Sequence, residues 1–178
     1  GRRIDIRSIV AEGDNLWLGT YGEGVICYNA LTGKIGFFSN RRDITENYIQ
    51  TIKRAGDTLC IATQGAGIYL LSLKQHKKTK TFDTSNGLKS NYIQAIEFDQ
   101  YGRMWLVSNQ GITCIAKNKI RHFDSKDGIS RNEFFNSYKY VQPNGAINIF
   151  FCGNDGINYF DPNNLPQYSK SNNLIFNS

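Results

Sequence analysis

The chain has 178 residues, 40% of them hydrophobic and 20% charged, with a formal net charge of +6, enough for one domain with a sizeable core. Much of the positive charge falls in Lys74-Gln75-His76-Lys77-Lys78-Thr79-Lys80, which reads as a solvated hairpin tip rather than a track for nucleic acid or an acidic glycan. The four cysteines, Cys27, Cys60, Cys114 and Cys152, form no C-x-x-C pair and sit inside apolar runs, which argues against a metal site and for free thiols acting as small hydrophobes.

Taken in order, the chain repeats one unit. Ile4 to Val10 is first-strand material, followed by Gly13-Asp14-Asn15-Leu16-Trp17-Leu18-Gly19-Thr20-Tyr21-Gly22-Glu23-Gly24-Val25. That segment returns as Gly56-Asp57-Thr58-Leu59-Cys60-Ile61-Ala62-Thr63-Gln64-Gly65-Ala66-Gly67-Ile68. A shortened copy runs from Gly102 through Met104-Trp105-Leu106-Val107-Ser108-Asn109-Gln110 to Gly111-Ile112, and a diverged one from Gly145 through Phe150-Phe151-Cys152-Gly153 to Gly156-Ile157. The leading glycines lie 43, 46 and 43 residues apart. A period in the forties implies stacked supersecondary units.

The second unit shows the content of each. Alternating Tyr48-Ile49-Gln50-Thr51-Ile52-Lys53, the turn Ala55-Gly56-Asp57-Thr58, apolar Leu59-Cys60-Ile61-Ala62, the turn Gln64-Gly65-Ala66-Gly67, then Ile68-Tyr69-Leu70-Leu71 and Thr79-Lys80-Thr81-Phe82 predict four short antiparallel strands. No segment carries helical apolar spacing over ten or more positions. The second strands are apolar on consecutive residues, which suits strands covered on both faces. Four-stranded sheets at this period predict an all-β propeller of about four blades, at residues 1–43, 44–86, 87–127 and 128–162, rather than a solenoid. Gly24, Gly67, Gly111 and Gly156 each open a third strand, where a turn needs positive φ.

The hand-over segments also share a phase. Asn47-Tyr48-Ile49-Gln50 and Asn91-Tyr92-Ile93-Gln94 are identical, and Asn132-Glu133-Phe134 holds the same place before the last unit. In a propeller such loops crowd onto one face.

The Gly13 to Val25 element resembles the two-component regulator propeller repeat, as does the hand-over Gly87-Leu88-Lys89-Ser90-Asn91-Tyr92-Ile93. Asp127-Gly128-Ile129-Ser130-Arg131-Asn132-Glu133-Phe134, followed by Gly153-Asn154-Asp155-Gly156-Ile157-Asn158-Tyr159-Phe160-Asp161-Pro162, resembles the closing repeat of that family. The departures are Cys60 and Asn148 where Trp is usual, and a third unit two residues short before Gly111. The resemblance implies a periplasmic sensor region of a hybrid two-component histidine kinase, built from larger propellers of which these blades are a fragment. Residues 163–178 would then be a linker into an immunoglobulin-like β-sandwich outside the chain, with the membrane reached only through the parent.

The expected function is non-enzymatic sensing of a ligand, an oligosaccharide by the same resemblance. The expected ligand-binding residues are Tyr21, Glu23, Gln64, Asn109, Gln110, Asn154 and Asp155, in turns between second and third strands. Amides, carboxylates and a tyrosine suit sugar hydroxyls. No catalytic centre, metal site or cofactor is expected: the two histidines, His76 and His122, have no nucleophile or acid at a recognisable spacing. An enzyme acting on acidic polysaccharide and a protein-binding scaffold are the alternatives. Further partners are the other blades and sandwich of the parent, and a second copy joined through open blade edges; nucleic acid is not one.

Overall fold

The structure, a computed structural model, describes residues 3–37, 44–117, 119–129, 133–154 and 156–164. It is all-β, with four sheets following one another along the chain. The first holds β1 (Ile6–Glu12), β2 (Asn15–Thr20), β3 (Val25–Asn29) and β4 (Ile35–Phe37); the second holds β5 (Ile49–Ala55), β6 (Thr58–Thr63), β7 (Ile68–Ser72) and β8 (Lys77–Phe82). The third holds β9 (Ile93–Phe98), β10 (Met104–Ser108), β11 (Gly111–Ala116) and β12 (Lys119–Phe123), and the fourth β13 (Phe134–Val141), β14 (Ile147–Gly153) and β15 (Gly156–Phe160). Each is an antiparallel meander in sequence order, the blade expected from the repeat. The last blade shows three strands rather than four among the described residues, and residues 165–178 of the expected linker lie outside them. The chain divides after Ile93 into two compact units.

In the first unit, Trp17 of β2 is buried with Ile49, Ile52, Leu59, Ile61 and Leu71 of the second blade. Gly19, two residues on, leaves room for β5: a Cβ there would stand 2.9 Å from the Ile49 Cγ2 methyl. Ser8 ties the two inner strands, its hydroxyl donating to the Ile52 carbonyl and accepting the Ile52 N–H, both at 3.1 Å. The indole N–H of Trp17 goes to Glu12 Oε2 at 2.8 Å. As the apolar runs predicted, β6 is buried on consecutive residues; β2 instead alternates, leaving Leu16 and Leu18 half-buried.

The second unit repeats these devices in stronger form. Trp105, Val107, Phe123, Phe134, Ile149, Phe151 and Phe160 share one core. Trp105 Nε1 donates to Asp99 Oδ2 at 2.8 Å, and Arg103 Nε donates to the same oxygen at 2.5 Å. Asp99 Oδ1 accepts the N–H groups of Tyr101 and Arg103 at 2.9 and 3.0 Å. The Asp99 side chain is fully buried, a cost that these four donors offset. Arg103 carries the network on to the Pro162 carbonyl at 2.6 Å. Ser137 of β13 donates to the Ile96 carbonyl at 2.9 Å; Ile96 holds the place in its blade that Ile52 holds in the second.

Within the all-β chain, two 3-10 helical turns, Thr84–Asn86 and Ser125–Asp127, follow β8 and β12. Each is a capping box on an aspartate, Asp83 or Asp124, and ends on a left-handed glycine, Gly87 or Gly128. The reason is local. The aspartate side chain satisfies N–H groups that so short a turn cannot satisfy itself, and the glycine returns the chain so that Leu88 and Ile129 are buried.

The basic run lies as expected on a hairpin tip and on β8, the outermost strand of its sheet. Lys78 sits over the Tyr69 ring at 5.0 Å and Lys80 over Phe82 at 4.4 Å. Lysines on an edge strand discourage further strand pairing. His76 is less detached than expected of a tip residue: its ring meets Trp17 edge-on with centroids 5.8 Å apart.

Two predictions concern this framework. A Cβ at Gly67 would stand 2.1 Å from the Phe82 carbonyl oxygen, and one at Gly111 would stand 2.3 Å from that of Phe123. Their φ values are 74° and 104°. Gly67→Ala and Gly111→Ala should each cost upward of about 2 kcal/mol in chemical denaturation, because left-handed strain and a shifted backbone act together. Separately, Asp99→Ala should cost about 3–5 kcal/mol by leaving Arg103 and the Trp105 indole without their acceptor, and Trp105→Ala a similar amount. Guanidinium titration followed by fluorescence checks both; a loss under about 1 kcal/mol for Asp99→Ala would mean the network is not what stabilises this unit.

Candidate functional site

The turn between second and third strands is built the same way in both blades of the first unit. Thr20 Oγ1 donates to the Gly24 carbonyl at 2.8 Å and accepts the Glu23 N–H at 3.1 Å. Thr63 Oγ1 donates to the Gly67 carbonyl at 2.8 Å and accepts the Ala66 N–H at 2.9 Å. Both threonines are fully buried, so the hydroxyl serves the turn; between them and the glycines, Tyr21 is exposed, Glu23 and Gln64 are half-buried, and Ala66 packs against the core.

These turns are fastened to the hand-over segments. The Gly22 and Gly24 N–H groups both reach the Asn47 carbonyl at 3.0 Å, and Gly67 N–H reaches the Asn91 carbonyl at 2.9 Å. Asn91 Oδ1 also accepts the Thr84 N–H at 2.8 Å, so one asparagine joins the 3-10 turn to the blade before it. Tyr21 N–H bonds to the Asp5 carbonyl at 2.8 Å and Gln64 N–H to the Tyr48 carbonyl at 3.0 Å. Within the first unit, the hand-over into the second blade and the turns carrying Tyr21, Glu23 and Gln64 therefore form one surface.

Its centre is a pair of aromatic rings. Tyr21 and Tyr48 bridge through their backbones, and their rings meet edge to face with centroids 4.8 Å apart. They keep 39% and 46% of their surface exposed. Arg7 lies over the Tyr21 ring at 4.9 Å and pairs with Asp5 at 3.0 Å. Glu46 Oε1 accepts the N–H groups of Asn47 and Tyr48 at 2.8 and 2.9 Å. Arg7 is aimed there by a β-bulge, the register of β1 against β2 slipping between Ile6 and Ser8. The same slip occurs at Gln50 and at Phe135. Gln50 Nε2 donates to the Tyr92 hydroxyl at 3.1 Å. Gln94 holds the corresponding place in the third blade, and its Oε1 is buried without a hydrogen-bond partner among the described residues.

In the second unit, Asn109 and Gln110 are exposed on the β10–β11 turn, where Gln110 N–H bonds Ser108 Oγ at 3.1 Å. Asn154 is exposed, with its N–H on the Glu133 carbonyl at 3.2 Å. Asp155 lies outside the described residues. Arg7, Asp5, Glu46 and the pairing of Tyr48 with Tyr21 were not legible in the sequence. The signal available was the repeated position three residues after each hand-over asparagine, at Gln50, Gln94 and Phe135.

The remaining chemistry is quiet. Burial pushes the Cys60 thiol up to about 12 and that of Cys114 up to about 11, which keeps them protonated near neutrality. Cys27 is raised as well, by burial first and then by Glu12, although Cys27 and Cys152 are half-buried rather than buried as expected. His122 Nδ1 pairs with Thr113 Oγ1 at 2.9 Å. No group of three or more His, Cys, Asp or Glu that could hold a metal occurs among the described residues, and no helix there is long and apolar enough to cross a membrane.

Comparison with known proteins agrees with this architecture. Residues 87–110, which span the hand-over, β9 and β10, match the two component regulator propeller family. Histidine kinase P4 of Formosa agariphila is 28% identical over 105 residues, covering 58% of this chain and 7% of that protein. The extracellular domain of the hybrid two component system BT3049 from B. thetaiotaomicron superposes with a TM-score of 0.74 at 27% identity, over 88% of this chain and 22% of that domain. That of BT4673 from the same organism gives 0.71 at 20% identity, over 94% and 25%, a likeness of fold. The chain thus spans well under a third of each of these relatives. Residues 87–110 thus match the two-component regulator propeller repeat, and over most of its length the chain is similar to an extracellular domain of a hybrid two component system.

Proposed function

We propose that the chain is part of the ligand-sensing region of a hybrid two-component histidine kinase, lying in the periplasm and recognising an oligosaccharide without transforming it. The observation that supports this most directly is the 27% identity to an extracellular hybrid-system domain over 88% of the chain, joined to the repeat match at residues 87–110. The ligand-contacting residues are Tyr21, Glu23 and Gln64 in the first unit and Asn109, Gln110, Asn154 and Asp155 in the second. A ligand that binds one arrangement of the sensor better than another shifts the balance between them, and that difference is what crosses the membrane.

Open blade faces support association with further blades of a parent chain or with a second copy. In the first blade Ile9 and Ile35 are exposed, and in the fourth Tyr138, Tyr140 and Val141. Faces of this kind lose free energy to water until covered.

Two measurements test the proposal. Reconstituted with the intact receptor, a library of oligosaccharides should change autophosphorylation and leave the saccharides intact; cleavage of the library with no change in phosphorylation would favour the polysaccharide-degrading alternative. Light scattering on the isolated chain should show a dimer or larger species, and a monomer up to about 100 μM, far above the micromolar range of specific association, would remove self-association.

A further inference from the structure

Within each unit the blades meet through two unlike faces, and both units use the same pairing. In the first, the face carrying Ser8, Trp17 and Gly19 seats on Ile49, Ile52, Leu59, Ile61 and Leu71 of the second blade. In the second, the face carrying Trp105 and Val107 seats on Phe134, Ile149, Phe151 and Phe160 of the fourth blade. A ring-bearing face thus meets a receiving face in both contacts. Strand register puts Phe150 in the place of that ring in the fourth blade. Trp105 stands three residues before Ser108, which pairs with Gly111, and Phe150 stands three before Gly153, which pairs with Gly156. This corrects the expected match of Asn148 to the tryptophan, because β14 has 7 residues against 5 in β10. Phe150 stacks on Tyr159 with centroids 5.3 Å apart. Tyr138 pairs with Phe150 on its other side, and Asn136, Cys152 and Ile157 form the next row. None of these side chains is charged, although charged residues make up 20% of the chain. This ring-bearing face is open, with Tyr138 63% exposed.

The first blade is the reverse case: its ring-bearing face is covered and its receiving face is open. Gly13 and Gly56 lie 43 residues apart. Counted back by that spacing, the places of Ile52, Leu59, Ile61 and Leu71 are held by Ile9, Leu16, Leu18 and Tyr28. In the second blade those positions are buried with Trp17. In the first, Ile9 is 59% exposed, and Leu16, Leu18 and Tyr28 are half-buried. Register sets Ile9 beside Leu18, and Leu16 beside Tyr28 and then Ile35, with no charge in either row. Uncharged faces of this kind gain free energy when covered.

We propose that the fourth-blade face of one copy, led by Phe150 and Tyr138, docks on the first-blade face of a second copy, led by Ile9, Leu16 and Leu18. The contact repeats between copies the one that Trp17 makes inside the chain. Asn136 follows the bulge of β13 as Ser8 follows that of β1, and its amide would bond the Ile9 main chain as Ser8 bonds that of Ile52. The inference rests on the self-association part of the proposal above and adds which faces meet. Unlike faces either close on each other or add further copies, so the association has a direction that pairing through a single face lacks.

The test uses the 178-residue chain, light scattering, and two variants at exposed positions, Ile9→Glu and Tyr138→Glu. Each places a charge that the contact would bury unpaired, so each alone should weaken association at least about thirtyfold. Mixed in equal amounts, the two should form a one-to-one heterodimer and nothing larger. The first variant keeps its fourth-blade face and the second keeps its first-blade face. Leu31→Glu, on the exposed β3–β4 turn, should associate like the wild type. Circular-dichroism melts separate lost association from lost fold; where a variant fails to fold, Ile35→Glu or Tyr140→Glu on the same face takes its place. Loss of association in only one variant would mean a symmetric contact through a single face and would overturn the inference. So would variants that both stay associated, or a mixture of folded variants that stays monomeric. A wild-type chain that is monomeric up to about 100 μM would remove self-association itself, and the inference with it.

Discussion

A buried tryptophan is tolerable only if its N–H has somewhere to go, and the blades are organised around meeting that demand. Trp17 and Trp105 stand in second strands with their side chains fully buried, and an unpaired indole N–H in such a place costs more than one hydrogen bond returns. In both blades that carry a tryptophan, the acceptor is a carboxylate five or six residues earlier, near or just past the end of the first strand: Glu12 for Trp17 and Asp99 for Trp105. Asp99 is itself buried, so it must in turn be surrounded by donors, and Arg103, Tyr101 and the β9–β10 turn supply them. The arginine then reaches the carbonyl of Pro162 where the chain leaves its last described strand. One polar demand in the core thereby fixes a turn, a cation and the exit of the chain.

The second blade has Cys60 where the tryptophan would stand, and it needs no such arrangement. A thiol is a small hydrophobe whose weak donor can go unmet, and burial simply holds it protonated. Leu59 and Ile61, its neighbours on β6, face the other side of the sheet and are buried with Leu71 against Trp17 of the blade before. Inner strands are joined by serine rather than by tryptophan: Ser8 to Ile52 in one unit, Ser137 to Ile96 in the other. The two serines come from opposite directions along the chain to equivalent positions, which is possible because any first strand offers the same carbonyl.

The loop face follows from the same economy of polar groups. Buried Thr20 and Thr63 close the strand-two to strand-three turns, and the hand-over asparagines accept the glycine N–H groups those turns leave over. With the backbone thus satisfied internally, Tyr21, Tyr48, Gln64 and Arg7 are left to face water. This loop surface is therefore hydrogen-bonded through its main chain, while its side chains differ from one repeat to the next.

The 43- to 46-residue spacing, the glycine-bounded apolar runs and the twin Asn-Tyr-Ile-Gln segments were enough to predict blades, their strand order and the phase of their loops. Those properties depend on neighbours in sequence and on a period, and both are visible in one dimension. The 3-10 turns at Asp83 and Asp124 are shorter than any helical period and so leave no periodic signal, only an Asp and a Gly at their boundaries. Asp99 is not legible in sequence because nothing local separates a buried carboxylate from the solvated ones at the other turns. Its burial is a consequence of Phe160 and Trp105 meeting, with ring centroids 4.6 Å apart across 55 residues of chain. The aromatic pair is of the same kind. Tyr21 and Tyr48 belong to different repeats, and Arg7 reaches them only because a bulge in β1 turns its side chain. Sequence alone determined the repeat and therefore the sheets, since hydrogen-bonded hairpins are local; which side chains of successive blades meet was decided by tertiary structure, because stacking and bulge geometry carry no signature along the chain.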